Sequence, residues 1–282
     1  MGHTDIDIIK ASGEKAHFNM EKVETSLRRA GVSQEDIDYI TNRLARELYD
    51  GISTKEIYNR AYGYLKKINN SSASRYKLKK AIYELGPTGF PFEKFIAAIL
   101  QNTGYQVEVG KILPGKCVNH EIDVIARKDG RNTLIECKFH SDQGRNCDVK
   151  IPLYIHSRYK DILDQNRTSK NKDANKFEEC WVVTNTRFTA DAHTYGKCAN
   201  LFLLSWDYPK SSSLKKRIDS SGLYPITVST LLTGREKQFL LSRDVVLCRE
   251  LINDKFYLDH LGVSEKRQKK ILHEMENLCN TS

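Results

Sequence analysis

Chemistry can be read first from Asp123, Glu136 and Lys138. Asp123 stands in Glu121-Ile122-Asp123-Val124-Ile125, and the other two stand in Leu134-Ile135-Glu136-Cys137-Lys138. Both segments have the apolar pattern of strands, and Asp129-Gly130 between them is a tight hairpin signal. A hairpin lays the two strands side by side, so the three side chains can project near one another. Glu136 and Lys138 share a face because strand side chains alternate with a period of two. Two carboxylates and a lysine on a mostly apolar hairpin are costly to bury without a use. Metal-assisted phosphodiester hydrolysis is a use that fits. Mg²⁺ or Mn²⁺ takes hard oxygen ligands, here Asp123 and Glu136, and activates water. Lys138 can position or deprotonate that water, or neutralise the transition state. Glu93, on the preceding helix, can add a ligand or orient a water. The competing reading is a surface hairpin whose salt bridge happens to spell Glu-x-Lys. An aspartate strand, a hairpin and Glu-x-Lys together favour the site.

The elements around these residues alternate. A helix over Phe92 to Asn102 precedes strands at Tyr105 to Val109, Glu121 to Arg127 and Thr133 to Phe139. A helix at about Leu153 to Leu163, a charged loop over Lys170 to Lys176, a strand at Trp181 to Thr184, a helix at Thr189 to Ala199 and a strand at Leu201 to Trp206 follow. This order implies a mixed sheet flanked by helices.

From about Phe90 to Trp206 the pattern resembles the PD-(D/E)XK nuclease superfamily, specifically the Mrr-like restriction endonucleases. Phe92-Glu93-Lys94-Phe95 matches the leading helix with its glutamate, Glu121-Ile122-Asp123-Val124 the metal-binding aspartate strand, and Glu136-Cys137-Lys138 the ExK strand. The glycine-rich approach to the aspartate is replaced by Lys116-Cys117-Val118-Asn119-His120. Where the family has a glutamine after the ExK strand, this chain has Asp148-Val149-Lys150 and His156-Ser157-Arg158-Tyr159. His120, Lys150, His156 and Arg158 are therefore candidate phosphate contacts, with ordinary packing as the alternative for each. The resemblance implies a Mg²⁺- or Mn²⁺-dependent endodeoxyribonuclease acting on DNA, and a defence role against foreign DNA.

The first segment, residues 1–86, opens on an alternating stretch at Asp5 to Lys10 that reads as a strand, with a Ser12-Gly13 turn. Helices are expected from Met20 to Ala30 behind Asn19, from Ser33 to about Leu48, from Ser53 through Leu65 behind a capping box with Glu56, and from Ser72 to Leu85. Ile8-Ile9-Lys10-Ala11-Ser12-Gly13 and Phe18-Asn19-Met20-Glu21-Lys22-Val23 resemble the ATP-cone, a nucleotide-sensing module. The match continues through Thr54-Lys55-Glu56-Ile57 and Ser74-Arg75-Tyr76. On that resemblance Ile9, Lys10, Ser12, Gly13 and Lys22 line an adenine nucleotide, ATP or dATP. Free amides at the helix start help to hold the phosphates. The family's Arg-Asp-Gly turn is Ala-Ser-Gly here, so a cone that only mediates assembly is the alternative. Arg75, Lys77, Lys79 and Lys80 form a basic helix, either a solvated face or part of a polyanion-binding surface.

Residues 209–222 are rich in serine and lysine and read as a linker. Residues 223–282 read as a helical domain. In it Leu258-Asp259-His260-Leu261-Gly262-Val263-Ser264 looks like a helix-hairpin-helix turn, followed by Lys266, Arg267, Lys269 and Lys270. Such a turn offers amides to phosphate without reading bases, and a protein-docking packet is the alternative.

The bulk properties agree. The chain has 282 residues, 39% hydrophobic, with a formal charge of +9, which suits a polyanionic partner. Nothing approaches the roughly 18 apolar residues of a membrane span, and no secretory h-region follows the first residues. Seven cysteines without a CxxC pair read as reduced, cytoplasmic thiols. Cys137, His140 and Cys147 lack an evident fourth ligand for zinc. The expectation is thus a multidomain α/β chain: a small, mostly helical ATP-cone (1–86), a restriction-endonuclease-like mixed sheet flanked by helices (90–208), and a C-terminal helical hairpin domain. Cutting both strands normally takes two sites, so a homo-oligomer is expected. A nucleotide-responsive DNA-binding regulator with an inactive nuclease fold, and a structural subunit, are the readings from other classes.

Overall fold

The computed structural model describes residues 6–10, 12–142, 144–168 and 176–280. Residues 1–5, Ala11 of the cone-like turn and most of the charged loop expected at Lys170 to Lys176 lie outside the described residues.

Strands β1 (Asp7–Ile9), β2 (Lys15–His17) and β3 (Ile52–Ser53) form a small sheet in the order β2-β1-β3. Only β1 was expected, because it lies within the longer alternating stretch Asp5 to Lys10; β2 and β3 span three and two residues. Four helices belong to this unit: α1 (Met20–Arg29), α2 (Gln34–Ala45), α3 (Thr54–Ile68) and α4 (Asn70–Tyr83); the first three pack beside the sheet. Their starts follow the expected caps. Asn19 accepts from the Glu21 amide at 2.8 Å, and Ser53 accepts from the Glu56 amide at 3.1 Å. Helix α2 stops at Ala45, ahead of the expected end, and Leu48 packs instead beside Phe18 and Ile52.

Helix α5 (Phe90–Asn102) introduces the second unit, with β4 (Gln106–Pro114), β5 (Asn119–Lys128), β6 (Arg131–Lys138), α6 (Lys150–Thr168), β7 (Glu179–Thr184), α7 (Ala190–Cys198) and β8 (Phe202–Leu204). The sheet order is β4-β5-β6-β7-β8, antiparallel through β6 and parallel beyond it. The turn between β5 and β6 holds Asp129 at φ 51° and Gly130 at φ 73°, the doubly left-handed turn whose twist matches a hairpin. Strand alternation gives the sheet two buried faces. Val124, Ala126, Ile135 and Val183 face one core with Phe92 and Phe95 of α5, while Ile125, Leu134 and Val182 face another with Ile155 and Ile162 of α6. Full burial of a phenylalanine such as Phe92 stabilises by about 2–3 kcal/mol.

The stretch 209–222, expected as a linker, holds α8 (Leu214–Ser221), capped by Ser213 and ended by Gly222 at φ 63°. Its two fully buried apolar side chains, Leu214 and Ile218, belong to the α5-side core, which is why a serine- and lysine-rich segment is ordered. A 3₁₀ turn (Ile226–Val228), α9 (Gly234–Ser242), α10 (Cys248–Asn253), α11 (Phe256–His260) and α12 (Glu265–Cys279) complete the chain. Gly262 at φ 66° makes the expected turn between the last two helices.

One core runs from Leu78, Ala81 and Ile82 of α4 through α5 and the large sheet to Ile271 and Met275 of α12. Helix α4 therefore joins the first unit to the rest. Its basic face is not simply solvated. Arg75 donates to the Asn277 carbonyl at 3.3 Å, and Lys77 donates to Glu84 at 3.0 Å and to the Thr227 carbonyl at 3.3 Å, whereas Lys79 and Lys80 are exposed. Among the described residues no helix is long and apolar enough to cross a membrane.

Candidate active site

Strand β5 leaves both neighbours at Asp123. Its pairing with β4 runs through Val109↔Val124 and resumes at Lys111↔Ile122, and Gly110, between them, is left-handed at φ 64°. Its pairing with β6 begins only at Val124↔Ile135. The Asp123 carboxylate fills the gap by accepting from the Cys137 amide at 2.7 Å. That bond carries the aspartate to the strand that bears Glu136 and Lys138.

Strand β6 places Glu136 and Lys138 on the α6 side, opposite Ile135 and Cys137, which face the α5-side core. The Glu136–Arg158 pair is nearly buried, with side chains 16% and 13% exposed. Glu136 Oε1 accepts from Arg158 Nη1 at 2.7 Å. Glu136 Oε2 is buried without a hydrogen-bond partner. A lone charged oxygen out of water is expensive unless a cation meets it. Lys138, at the end of β6, is exposed. Its backbone is pinned by Thr184, which donates to the Lys138 carbonyl at 2.8 Å, and the next turn is tied by Asn185 Nδ2 donating to the His140 carbonyl at 2.7 Å.

Glu93 lies in the first turn of α5 and is half-buried. Burial, and then the negative charges of Asp123 and Glu121, push its pKa up to about 7. Burial and then Asp123 push Glu136 up to about 7 as well. Asp123 is also raised, first by burial and against the opposing pull of the Cys137 amide. Burial is the first cause for all three, and neighbouring carboxylate charge adds to it: Asp123 and Glu121 on Glu93, Asp123 on Glu136, and Glu121 on Asp123. Perturbation of this kind concentrates where charge is to be used. Asp123 and Glu136, one with a lone oxygen, fit a hard divalent cation that keeps most of its waters. Among the described residues no three His, Cys, Asp or Glu side chains form a closed metal-binding group. A closed zinc set is likewise absent at Cys137, His140 and Cys147. Cys137 packs in the α5-side core and Cys147 in the α6-side core, with the sheet between them.

The candidate phosphate contacts separate. His120 Nε2 meets Asp161 Oδ2 at 2.8 Å, and Asp161 also accepts from the Cys117 amide at 2.9 Å, so His120 ties the β4–β5 loop to α6. That histidine bond, as the leading cause, holds Asp161 down to about 2. His156 Nδ1 meets the Tyr195 hydroxyl at 2.7 Å and joins α6 to α7. Lys150 stands exposed at the start of α6. Arg158 alone of the four reaches the carboxylate centre, and it also donates to the Glu121 carbonyl. Glu121 and the Arg158 pairing were missed as parts of the site. The Glu121-Ile122-Asp123 spacing, two carboxylates at i and i+2, was the available signal.

In the first unit, Ile9 and Lys10 lead into the β1–β2 turn, closed by the Gly13 amide donating to the Lys10 carbonyl at 2.9 Å. Gly13 is left-handed at φ 83° and Ser12 is exposed. Ile9, Lys10 and Lys22 are exposed, Lys10 beside Glu14 at 3.0 Å and Lys22 in the first turn of α1. On α12, Arg267 is committed to Glu236 at 2.5 Å and to the Leu231 carbonyl at 2.8 Å, while Lys266, Lys269 and Lys270 are exposed. All seven cysteines are unpaired.

Comparison with known proteins gives three family matches along the chain. Residues 6–82 match the ATP cone domain, residues 87–151 the restriction endonuclease family Mrr_cat, and residues 224–279 the family AF1548-like, C-terminal. An uncharacterized protein of Archaeoglobus fulgidus is 29% identical over 187 residues, covering 65% of this chain and 99% of the relative. The crystal structure of a protein of unknown function, AF1548, is similar with a TM-score of 0.56 and 28% identity, over 69% of this chain and 100% of that one. The chain thus carries an ATP cone domain, a restriction endonuclease domain and an AF1548-like C-terminal domain.

Proposed function

We propose that this protein is a metal-dependent endonuclease that hydrolyses phosphodiester bonds of DNA, and that ATP or dATP acts on it through the cone. The buried, unpartnered Oε2 of Glu136 carries the reading, because the Asp123 carboxylate stands close enough to raise Glu136. Asp123 and Glu136 would hold Mg²⁺ or Mn²⁺, which supplies Lewis acidity toward a phosphate oxygen and a more acidic water. Lys138, at the exposed end of its strand, sets a positive charge where the attacking water and the developing phosphate charge would meet. Glu93 takes and returns a proton near neutrality, which suits it to orient a water. The net charge of +9 supports a polyanionic substrate.

The cone would bind adenine nucleotide at Ile9, Lys10, Ser12, Gly13 and Lys22. The shared core through α4 supplies a physical path from that unit to α5 and Glu93. A homo-oligomer supplying two sites, and a defence role, are the further parts of the proposal.

The test is plasmid cleavage in Mg²⁺ or Mn²⁺, with and without ATP and dATP, comparing wild type with Asp123→Ala and Lys138→Ala. Metal-dependent cutting lost in both variants is the expected result. Cutting that survives both substitutions, or no cutting in any condition, overturns the catalytic assignment. Rates and oligomeric state indifferent to nucleotide overturn the regulation alone.

A further inference from the structure

The unpartnered oxygen of Glu136 has a counterpart that is held. Arg158 Nη1 donates to Oε1 at 2.7 Å, and its Nη2 donates to the backbone carbonyl of Glu121, two residues before Asp123 on β5. One planar guanidinium thus spans the two strands that bring the carboxylates together. Its carbon lies 5.5 Å from the centroid of the Tyr154 ring, one turn earlier on α6, which stacks against the fork. We propose that Arg158 is the positioning residue of the metal centre: it fixes which oxygen of Glu136 is offered to the cation and clamps the strand that carries Asp123. This rests on the nuclease reading above.

The physical argument is one of geometry and charge. A carboxylate on a three-bond stem can rotate to present either oxygen, and beside Asp123 it is repelled. A guanidinium fork has fixed donor directions, so one N–H on Oε1 and another on a backbone carbonyl lock the rotation. Oε2 is left buried and without a partner. Lysine cannot reproduce this, because an ammonium is a compact point charge without a planar fork. Partners of this kind behind a ligand typically set metal affinity by about 10- to 100-fold.

The experiment measures Mn²⁺ binding to the full-length protein by calorimetry, without DNA. Arg158→Ala and Arg158→Lys are compared with wild type, and each variant's folding is checked by thermal melting. Arg158→Ala is expected to bind Mn²⁺ about 10- to 100-fold more weakly, with Arg158→Lys recovering part of the loss. Should the alanine variant not fold, Tyr154→Ala serves. That side chain is exposed, and losing its stack should weaken Mn²⁺ about two- to fivefold. Wild type that binds Mn²⁺, with folded variants binding it equally, overturns the role of Arg158 alone. A separate titration of the same folded variants with duplex DNA reads the other possibility: unchanged Mn²⁺ binding with weakened DNA binding assigns Arg158 to the phosphate and so also overturns the clamp. Folded wild type that binds no Mn²⁺ overturns the metal-centre reading together with the clamp.

Discussion

Two nearly buried glutamates in this molecule are treated in opposite ways. Glu274, on α12, has both oxygens satisfied by neutral donors. Ser74 of α4 reaches Oε1 at 3.0 Å, Ser229 reaches Oε2 at 2.5 Å, and the Thr230 amide and hydroxyl reach Oε1 at 2.8 and 2.6 Å. Glu136 has one oxygen held and one left over, and Asp123 beside it raises its proton affinity. A saturated carboxylate stabilises the join between units; a half-saturated one weakens the fold and is available for chemistry. Under the proposed nuclease reading, the difference separates a carboxylate buried for structure from one buried for chemistry.

Glu136→Gln should break the comparison most sharply. The amide keeps an acceptor for Arg158 but removes the ligand charge, so cleavage should fall about 100-fold or more. Stability should be unchanged or higher, because a repelled charge has gone. Plasmid cleavage and urea melts on one preparation check both arms, and a clear loss of stability would contradict the functional reading of this burial. Glu274→Ala should do the reverse. Stripping three residues of their acceptor should cost about 3 kcal/mol, read in urea, and a loss well below 1 kcal/mol would show that the network is not what joins α4 to α12.

Proton linkage sharpens the contrast. Glu93 and Glu136 have folded values of about 7 against an ordinary value of 4.5. A raised folded pKa means that the folded state binds more protons than the unfolded one, so its contribution is complete below about 4.5 and is lost as pH rises through about 7. Metal-free protein should therefore lose stability between those limits, and Mn²⁺ should bind more tightly as pH rises through them, because it competes with protons. Denaturant melts in EDTA at pH 5 to 8 read the first effect. Glu136→Gln should flatten the slope, and an unaltered slope would remove Glu136 from the titration. Asp161 does not interfere, since its contribution is lost only as pH falls below 3.8.

The smallest expected effect comes from Gly110→Ala. A Cβ there meets nothing within 4 Å, so the cost is only that of holding alanine at φ 64°, about 1 kcal/mol. Any loss of cleavage beyond that in proportion to stability would show that the kink opposite Asp123 aims the carboxylate.

Much of the site was legible because its information is local. Asp123 and the Glu136–Lys138 pair sit on strands whose alternation is visible in the sequence, and Asp129-Gly130 declares the hairpin between them. Asn19, Ser33 and Ser53 announce helix starts through bonds to amides two or three residues on. The sheet order helix, three strands, helix, strand, helix, strand follows from periodicity in the same way.

Other features depended on distant partners that no local period encodes. The Arg158–Glu136 pair spans 22 residues and Ser74–Glu274 spans 200. Sequence alone offered His120, Lys150, His156 and Arg158 as equals. Only packing committed two histidines to structural ties and brought the arginine to the carboxylates. Composition made residues 209–222 a linker, whereas Leu214 and Ile218 found a core to enter. The sequence determined which side chains could do chemistry, because residue type and strand period are written locally. Tertiary structure decided which carboxylate oxygen would be left without a partner, because desolvation and hydrogen-bond saturation belong to the assembled neighbourhood.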